Sequence, residues 1–155
     1  MPDALTATPF APPVPLQGWG LRLEPLSLAH TAGLQAAAAD GELWQLRVTW
    51  VPRPEETTAY IQLALDMQAQ GTRCPYAVLD AASGRVLGTS SYHDIVPAVQ
   101  RLEIGYTWYA ASVQRSHVNT AAKLLLMQHA FGTLGCAVAL GYVTAPEPGL
   151  SLIHI

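Results

Sequence analysis

Polar and apolar positions alternate along residues 19–25 (WGLRLEP), which places Leu21 and Leu23 on one face of a first strand. Ser27 then suits a helix cap, with a helix running through about Ala39 and stopping near Gly41. A short helical piece is expected around residues 42–47. Pro54, Glu55 and Glu56 fit the first turn of another helix, because proline is tolerated there and carboxylates favour the positive dipole end. Tyr60, Leu63, Ala64 and Met67 form the expected buried stripe of that helix, which ends at Gly71.

Three strands follow in the pattern. Residues 75–80 and 85–93 flank a turn at Ala82, Ser83 and Gly84, a hairpin signal, and Gly88 in mid-strand points to a bulge or a close backbone approach. Along residues 102–109, simple alternation puts Leu102, Ile104, Tyr106 and Trp108 on one face and Glu103, Gly105, Thr107 and Tyr109 on the other. Asn119 suits the cap of a third helix, with Leu124, Met127, Phe131 and Leu134 as its apolar face and Gly135 as its end. Residues 136–143 (CAVALGYV) read as a buried strand. Strand, helix and strand at this spacing make a right-handed crossover between parallel strands. The order is β-α-α-β-β-β-α-β, an α/β (α+β) chain with a mixed sheet: an antiparallel meander joined to one parallel unit.

Composition narrows the function. The chain has 155 residues, half of them hydrophobic and 12% charged, enough for one domain with a real core. Eight basic and eleven acidic residues give a net charge of −3, with Lys123 the only lysine and no basic run. That argues against nucleic-acid binding through backbone phosphates. No apolar run suffices to span a bilayer. Cys74 and Cys136 lack metal-ligand spacing and read as free thiols of a reducing compartment, so the cytoplasm is the expected location. The five histidines form no ligand motif, and no metal is expected. Residues 1–17 are rich in proline and read as a flexible arm, 18–143 as the domain, and 144–155 as an aberrant tail.

The order of elements and the stretch RLEIGYTWYAASVQRSHVNTAAKLLLMQHAFGTLGC resemble the GNAT superfamily of acyl-CoA-dependent N-acetyltransferases, with LRLEPLSLAH closest to the RimJ/RimL-like branch. The resemblance covers about residues 19–143. It implies transfer of an acetyl group from acetyl-CoA to a primary amine, either a protein N-terminus or a small molecule. It places acetyl-CoA along the backbone of Tyr106, Thr107, Trp108 and Tyr109. Its phosphates fall to the loop Gln114, Arg115, Ser116, His117, Val118, Asn119 and Thr120. Glu103 matches an acidic position used as a base in some relatives; its other reading is a pairing with Arg101. His93 is a candidate substrate contact or simply a residue at a turn edge.

The chain departs from the family pattern twice. The phosphate loop usually carries glycines, which let backbone N–H groups approach a phosphate closely, and here it has none. A helix N-terminus still offers donors and partial positive charge, with Arg115 adding a fixed one. Second, relatives continue past the buried strand with a helix and two strands, including an Asn and a Tyr that contact the cofactor or protonate its leaving thiolate. Here residues 144–155 match none of these. LSLIHI resembles the translation of a transposase end used in sequencing adapters, which suggests an assembly artefact on a truncated gene. Two other readings therefore stay open: a non-catalytic acyl-CoA-binding or interaction domain, and an inactive fragment.

Overall fold

The computed structural model describes residues 13–144 and 150–154. One seven-stranded sheet runs through them in sequence order. Its strands are β1 (Leu16–Gly18), β2 (Leu21–Pro25), β3 (Arg73–Asp80), β4 (Val86–Val96), β5 (Arg101–Tyr109), β6 (Val138–Thr144) and β7 (Leu150–His154). All neighbours are antiparallel except β5 and β6, which are parallel and joined by helix α3 (Val118–Gly132), as a crossover requires. Helices α1 (Thr31–Ala39) and α2 (Thr57–Ala69) join β2 to β3. The expected mixed sheet and element order hold. Two strands were not anticipated: β1 lies largely within the expected arm, and β7 lies within the expected tail.

Strand β3 is buried on both faces, so it reads as a continuous apolar run. Tyr76 and Val78 face α3, together with Leu23, Tyr92, Leu102, Ile104 and Leu126. Ala77 and Leu79 face α1 and α2, with Leu34, Tyr60, Ile61 and Ala64. The sheet is thus sandwiched between α3 on one side and α1 with α2 on the other. Pro75 sits inside β3 at no cost to the β4 ladder. Its carbonyl accepts from the Leu26 N–H, so its missing N–H faces the β2 side, where pairing has already ended at Tyr76.

Two helix faces differ from the pattern. On α2, Leu63 is exposed while Tyr60, Ile61 and Ala64 are buried. On α3, Leu124 is exposed; the buried face is Val118, Ala121, Ala122, Leu125, Leu126 and Ala130, and the expected Met127, Phe131 and Leu134 pack against the same core. Helix α3 also ends at Gly132 rather than Gly135, and it is capped by His117 rather than Asn119.

Candidate active site

Strand β5 carries the features that matter most. Its first half alternates as expected, with Leu102 and Ile104 toward α3. At Tyr106 the backbone turns to φ +51°, and the β4–β5 register slips: Ser91 pairs with Gly105 but Thr89 with Trp108. Two β5 residues therefore oppose Ser90, which is a β-bulge. The bulge inverts the face of everything after it. Trp108 packs on the α2 side, its indole Nε1 donating to the Tyr60 hydroxyl at 3.2 Å, and Tyr109 packs on the α3 side. The expected grouping of Tyr109 with Glu103, and of Trp108 with Leu102, is corrected accordingly.

The same bulge marks where β5 and β6 part. Their ladder runs from Arg101 with Val138 to Ile104 with Gly141 and goes no further, while β5 stays paired to β4 as far as Tyr109. The β6-facing backbone edge of Tyr106, Thr107, Trp108 and Tyr109 thus has no strand beside it among the described residues. One carbonyl there is used: the Gln114 side-chain Nε2 donates to the Tyr109 oxygen at 2.9 Å. Tyr109 and Trp108 have buried side chains, so both would meet a ligand by backbone alone. Thr107 Oγ1 and Ser90 Oγ share a hydrogen bond of 2.7 Å.

The loop to α3 is braced at both ends. Asp40 Oδ2 accepts from Arg85 and from the Ser112 backbone N–H and hydroxyl. The Ser112 bonds hold the Asp40 carboxyl below its usual range. Ser116 Oγ donates to the Val113 carbonyl and accepts from the Val118 N–H at 3.3 Å. Arg115 is exposed and takes the loop's positive φ, +59°. His117, at φ −70°, and Asn119, inside the first helical turn, have ordinary backbones. Neither His117 nor Asn119 therefore needs to be a glycine for conformation. Val118 is buried and offers only backbone, and Thr120 is exposed. Asn119 keeps its Oδ1 enclosed without a donor among the described residues.

On the α2 face, ladder partners line up across three strands: Arg73 on β3, His93 on β4 and Glu103 on β5. His93 Nε2 lies 3.8 Å from Glu103 Oε2, so the carboxylate's close contact is His93, and no ion pair to Arg101 forms among the described residues. His93 is therefore mid-sheet beside the candidate base, not at a turn edge. Burial holds its imidazole below the usual range; Glu103 and Asp94 pull the other way, and Arg73 pushes it down further. Its ring meets the Tyr106 ring edge-on at 5.1 Å. Gly105 is required here, since a Cβ would lie 2.3 Å from His93 Nε2. Both cysteines are free thiols, and burial raises their pKa, that of Cys74 to about 11, so neither is primed as a nucleophile. A cavity of about 190 Å³ lies at the opposite end of β5, beside Arg101, Leu134 and Cys136, and is lined by none of Arg73, His93, Glu103 and Tyr106.

The family model of the acetyltransferase (GNAT) domain matches residues 20–147. The chain belongs to this family. No curated protein matches it. Among solved structures, a protein provisionally assigned as an acetyltransferase is 29% identical, with TM-score 0.69 over 86% of this chain and 66% of that one. A GNAT-family N-acetyltransferase from Brucella melitensis is 28% identical, with TM-score 0.72 over 93% of this chain and 67% of that one. RimL, an alpha-N-protein acetyltransferase of a ribosomal protein, is 18% identical, with TM-score 0.73 over 86% and 74%, a likeness of fold. The chain thus spans about two-thirds of the length of the first two. Among the described residues no helix is long and apolar enough to cross a membrane, and no acidic, His or Cys cluster has the makings of a metal site.

Proposed function

We propose that this chain moves an acetyl group from acetyl-CoA to a primary amine, as a cytoplasmic enzyme of the RimJ/RimL-like branch. The observation that carries the reading is the parting of β5 from β6 at the Tyr106 bulge, beside the N-terminus of α3. Backbone groups of Tyr106, Thr107, Trp108 and Tyr109 suit the polar arm of the cofactor. The phosphates suit the unpaired N–H groups of the first turn of α3, with Arg115 and Ser116 adjacent. The donor set suits an anion even without glycines, because the helix N-terminus offers N–H donors and partial positive charge and the exposed Arg115 adds a fixed one.

The acetyl thioester supplies the activated acyl group; the chain's residues supply position and proton transfer. An amine acceptor is largely protonated at neutral pH, with pKa about 7.7–8.0 for an α-amine and about 10.4 for lysine. Glu103 takes that proton, directly or through a water, with the His93 imidazole 3.8 Å from its carboxylate. Fixed backbone N–H groups at the bulge polarise the acyl carbonyl. The test is thiol release from acetyl-CoA with a panel of primary amines. Glu103→Gln should lower kcat by about 10²–10⁴ while acetyl-CoA binding persists. Cofactor binding with no amine acetylated across the panel would instead support a non-catalytic acyl-CoA-binding domain. The glycine-free loop, with the His117 side chain in it, favours that second reading.

A further inference from the structure

Arg73 is 2% exposed, yet no carboxylate pairs with it among the described residues. Its guanidinium is held by neutral groups. Nε donates to Ser91 Oγ at 3.0 Å and Nη2 to the Tyr60 hydroxyl at 3.5 Å, and the Tyr106 ring covers it at 4.0 Å. A buried cation with no counter-charge is costly, and an arriving anion would offset that cost. The neighbours have spare hydrogens too. The Tyr60 oxygen already accepts from Arg73 and from Trp108, so its own O–H must point elsewhere. Ser91 Oγ accepts from Arg73 and likewise keeps a hydrogen to give. Guanidinium, phenol and serine hydroxyl together form a buried set with donors in surplus.

The opposite charge is close by and kept apart. Arg73 and Glu103 flank His93 in the same cross-strand row, with no ion pair formed between them. Neighbouring strands lie about 4.7–4.9 Å apart, so the two charges belong to backbones roughly two spacings apart. Not paired with each other, they make a local dipole with its negative end at the candidate base, where the carboxylate lies against His93.

We propose that this row is the acceptor subsite and selects an amine that also carries a carboxylate, the amine at Glu103 and His93 and the carboxylate on the free edge of Arg73. The acceptor class is a small amino acid with its two charged groups a few bonds apart. The Arg73 fork receives the carboxylate edge-on, a geometry a lysine does not reproduce. Tyr106, only half-buried, stands between that fork and the cofactor gap. This inference rests on the acetyltransferase reading for its chemistry but not for its binding step.

The test compares ω-amino acids of two to five carbons with their amides as acceptors. The expected kcat/KM ratio of acid to amide is roughly ten- to a hundred-fold, the range of a charge-assisted hydrogen-bond pair. R73K should bring that ratio close to one, and Y60F should lower it in part. In parallel, glutarate, which has no amine, should raise the Tm of the wild type but not of R73K; inorganic phosphate should not substitute. Equal rates on acids and amides, with no glutarate response, would overturn the proposal and leave the guanidinium a packing group. A response to phosphate in place of glutarate would overturn the carboxylate assignment. Should R73K fail to fold, Y60F and the wild-type acid-to-amide ratio decide. If no amine is acetylated at all, the enzyme reading fails and the glutarate shift alone settles Arg73.

Discussion

Gly88→Ala should destabilise the protein and pull apart the end of β5 that the candidate site needs. A Cβ built at Gly88 falls 2.0 Å from the Trp108 carbonyl oxygen and 2.8 Å from the Tyr109 Cα. An ordinary C···O approach is about 3.3–3.6 Å, so β5 must retreat by roughly 1.3–1.6 Å. The blocking atoms are backbone and have no rotamer to change. That retreat strains the bond from the Ala110 N–H to the Leu87 carbonyl, now 2.8 Å. Overpacking costs about 1–3 kcal/mol and a lost hydrogen bond about 0.5–1.5 kcal/mol. Alanine returns about 0.4–1 kcal/mol through the unfolded chain. The net loss is therefore about 0.5–4 kcal/mol, a sizeable part of a typical 5–15 kcal/mol over most of that range. Urea unfolding checks it, as a lower midpoint at unchanged slope. Gly132→Ala is the control, because a Cβ there meets nothing within 4 Å. Retreat of Trp108 and Tyr109 should also lower kcat/KM for acetyl-CoA beyond what the unfolded fraction explains. A Gly88→Ala protein within about 0.5 kcal/mol of wild type, at equal slope, would refute the close-approach argument, since that is the ordinary range for a site without such a constraint.

Three further perturbations separate the parts of the site. Gly105→Ala pushes against the His93 ring, 2.3 Å from the new Cβ, and a side chain can yield where backbone cannot. It should cost less Tm than Gly88→Ala but more kcat, and the reverse order would discount the His93–Glu103 contact. Arg115→Asn keeps a residue that tolerates the φ of +59° while removing the charge. KM for acetyl-CoA should rise about tenfold and lose much of its salt dependence; a salt response equal to wild type would remove Arg115 from phosphate binding. His93 should titrate by NMR below about 6.5, since burial disfavours its charged form. Glu103→Gln removes a neighbour that raises it, so the midpoint should fall further; a rise would contradict the coupling. With a folded-state pKa below the unfolded one, His93 contributes stability above the unfolded value that is lost as pH falls through the folded one.

Much of the fold is legible because the strands obey simple alternation wherever one face is buried. Leu21 and Leu23 share a face as the pattern demands, and the parallel crossover follows from strand, helix and strand at short spacing. What is not legible turns on single backbone angles. No residue preference announces a positive φ at Tyr106, beside a glycine that would be the natural suspect, yet that angle reverses the faces of Trp108 and Tyr109. Leu63 and Leu124 look like core and are exposed. Arg73 lies outside the strand read from the sequence, which begins at Pro75; β3 starts two residues earlier, because the proline's missing donor faces the β2 side, where pairing has ended at Tyr76.

The bulge also explains why the candidate site is where it is. In a regular β5, Gly105 and Tyr106 would point to opposite faces. Here the Tyr106 ring lies against His93 and Arg73, on the α2 face that Gly105 shares. That face thus holds the row of titratable groups, while the α3 face of β5 is sealed by Leu102, Ile104 and Tyr109. A cofactor anchored at the start of α3 and an acceptor held by the row would approach from opposite sides of the sheet. They meet only through an opening in the sheet itself, and the one ladder of β5 that ends early does so one residue before the gap-side glycine, at Ile104. The break in pairing and the turn at Tyr106 are therefore a single requirement. A strand that kept its register with β6 past Ile104 would hold both binding surfaces and still keep their contents apart.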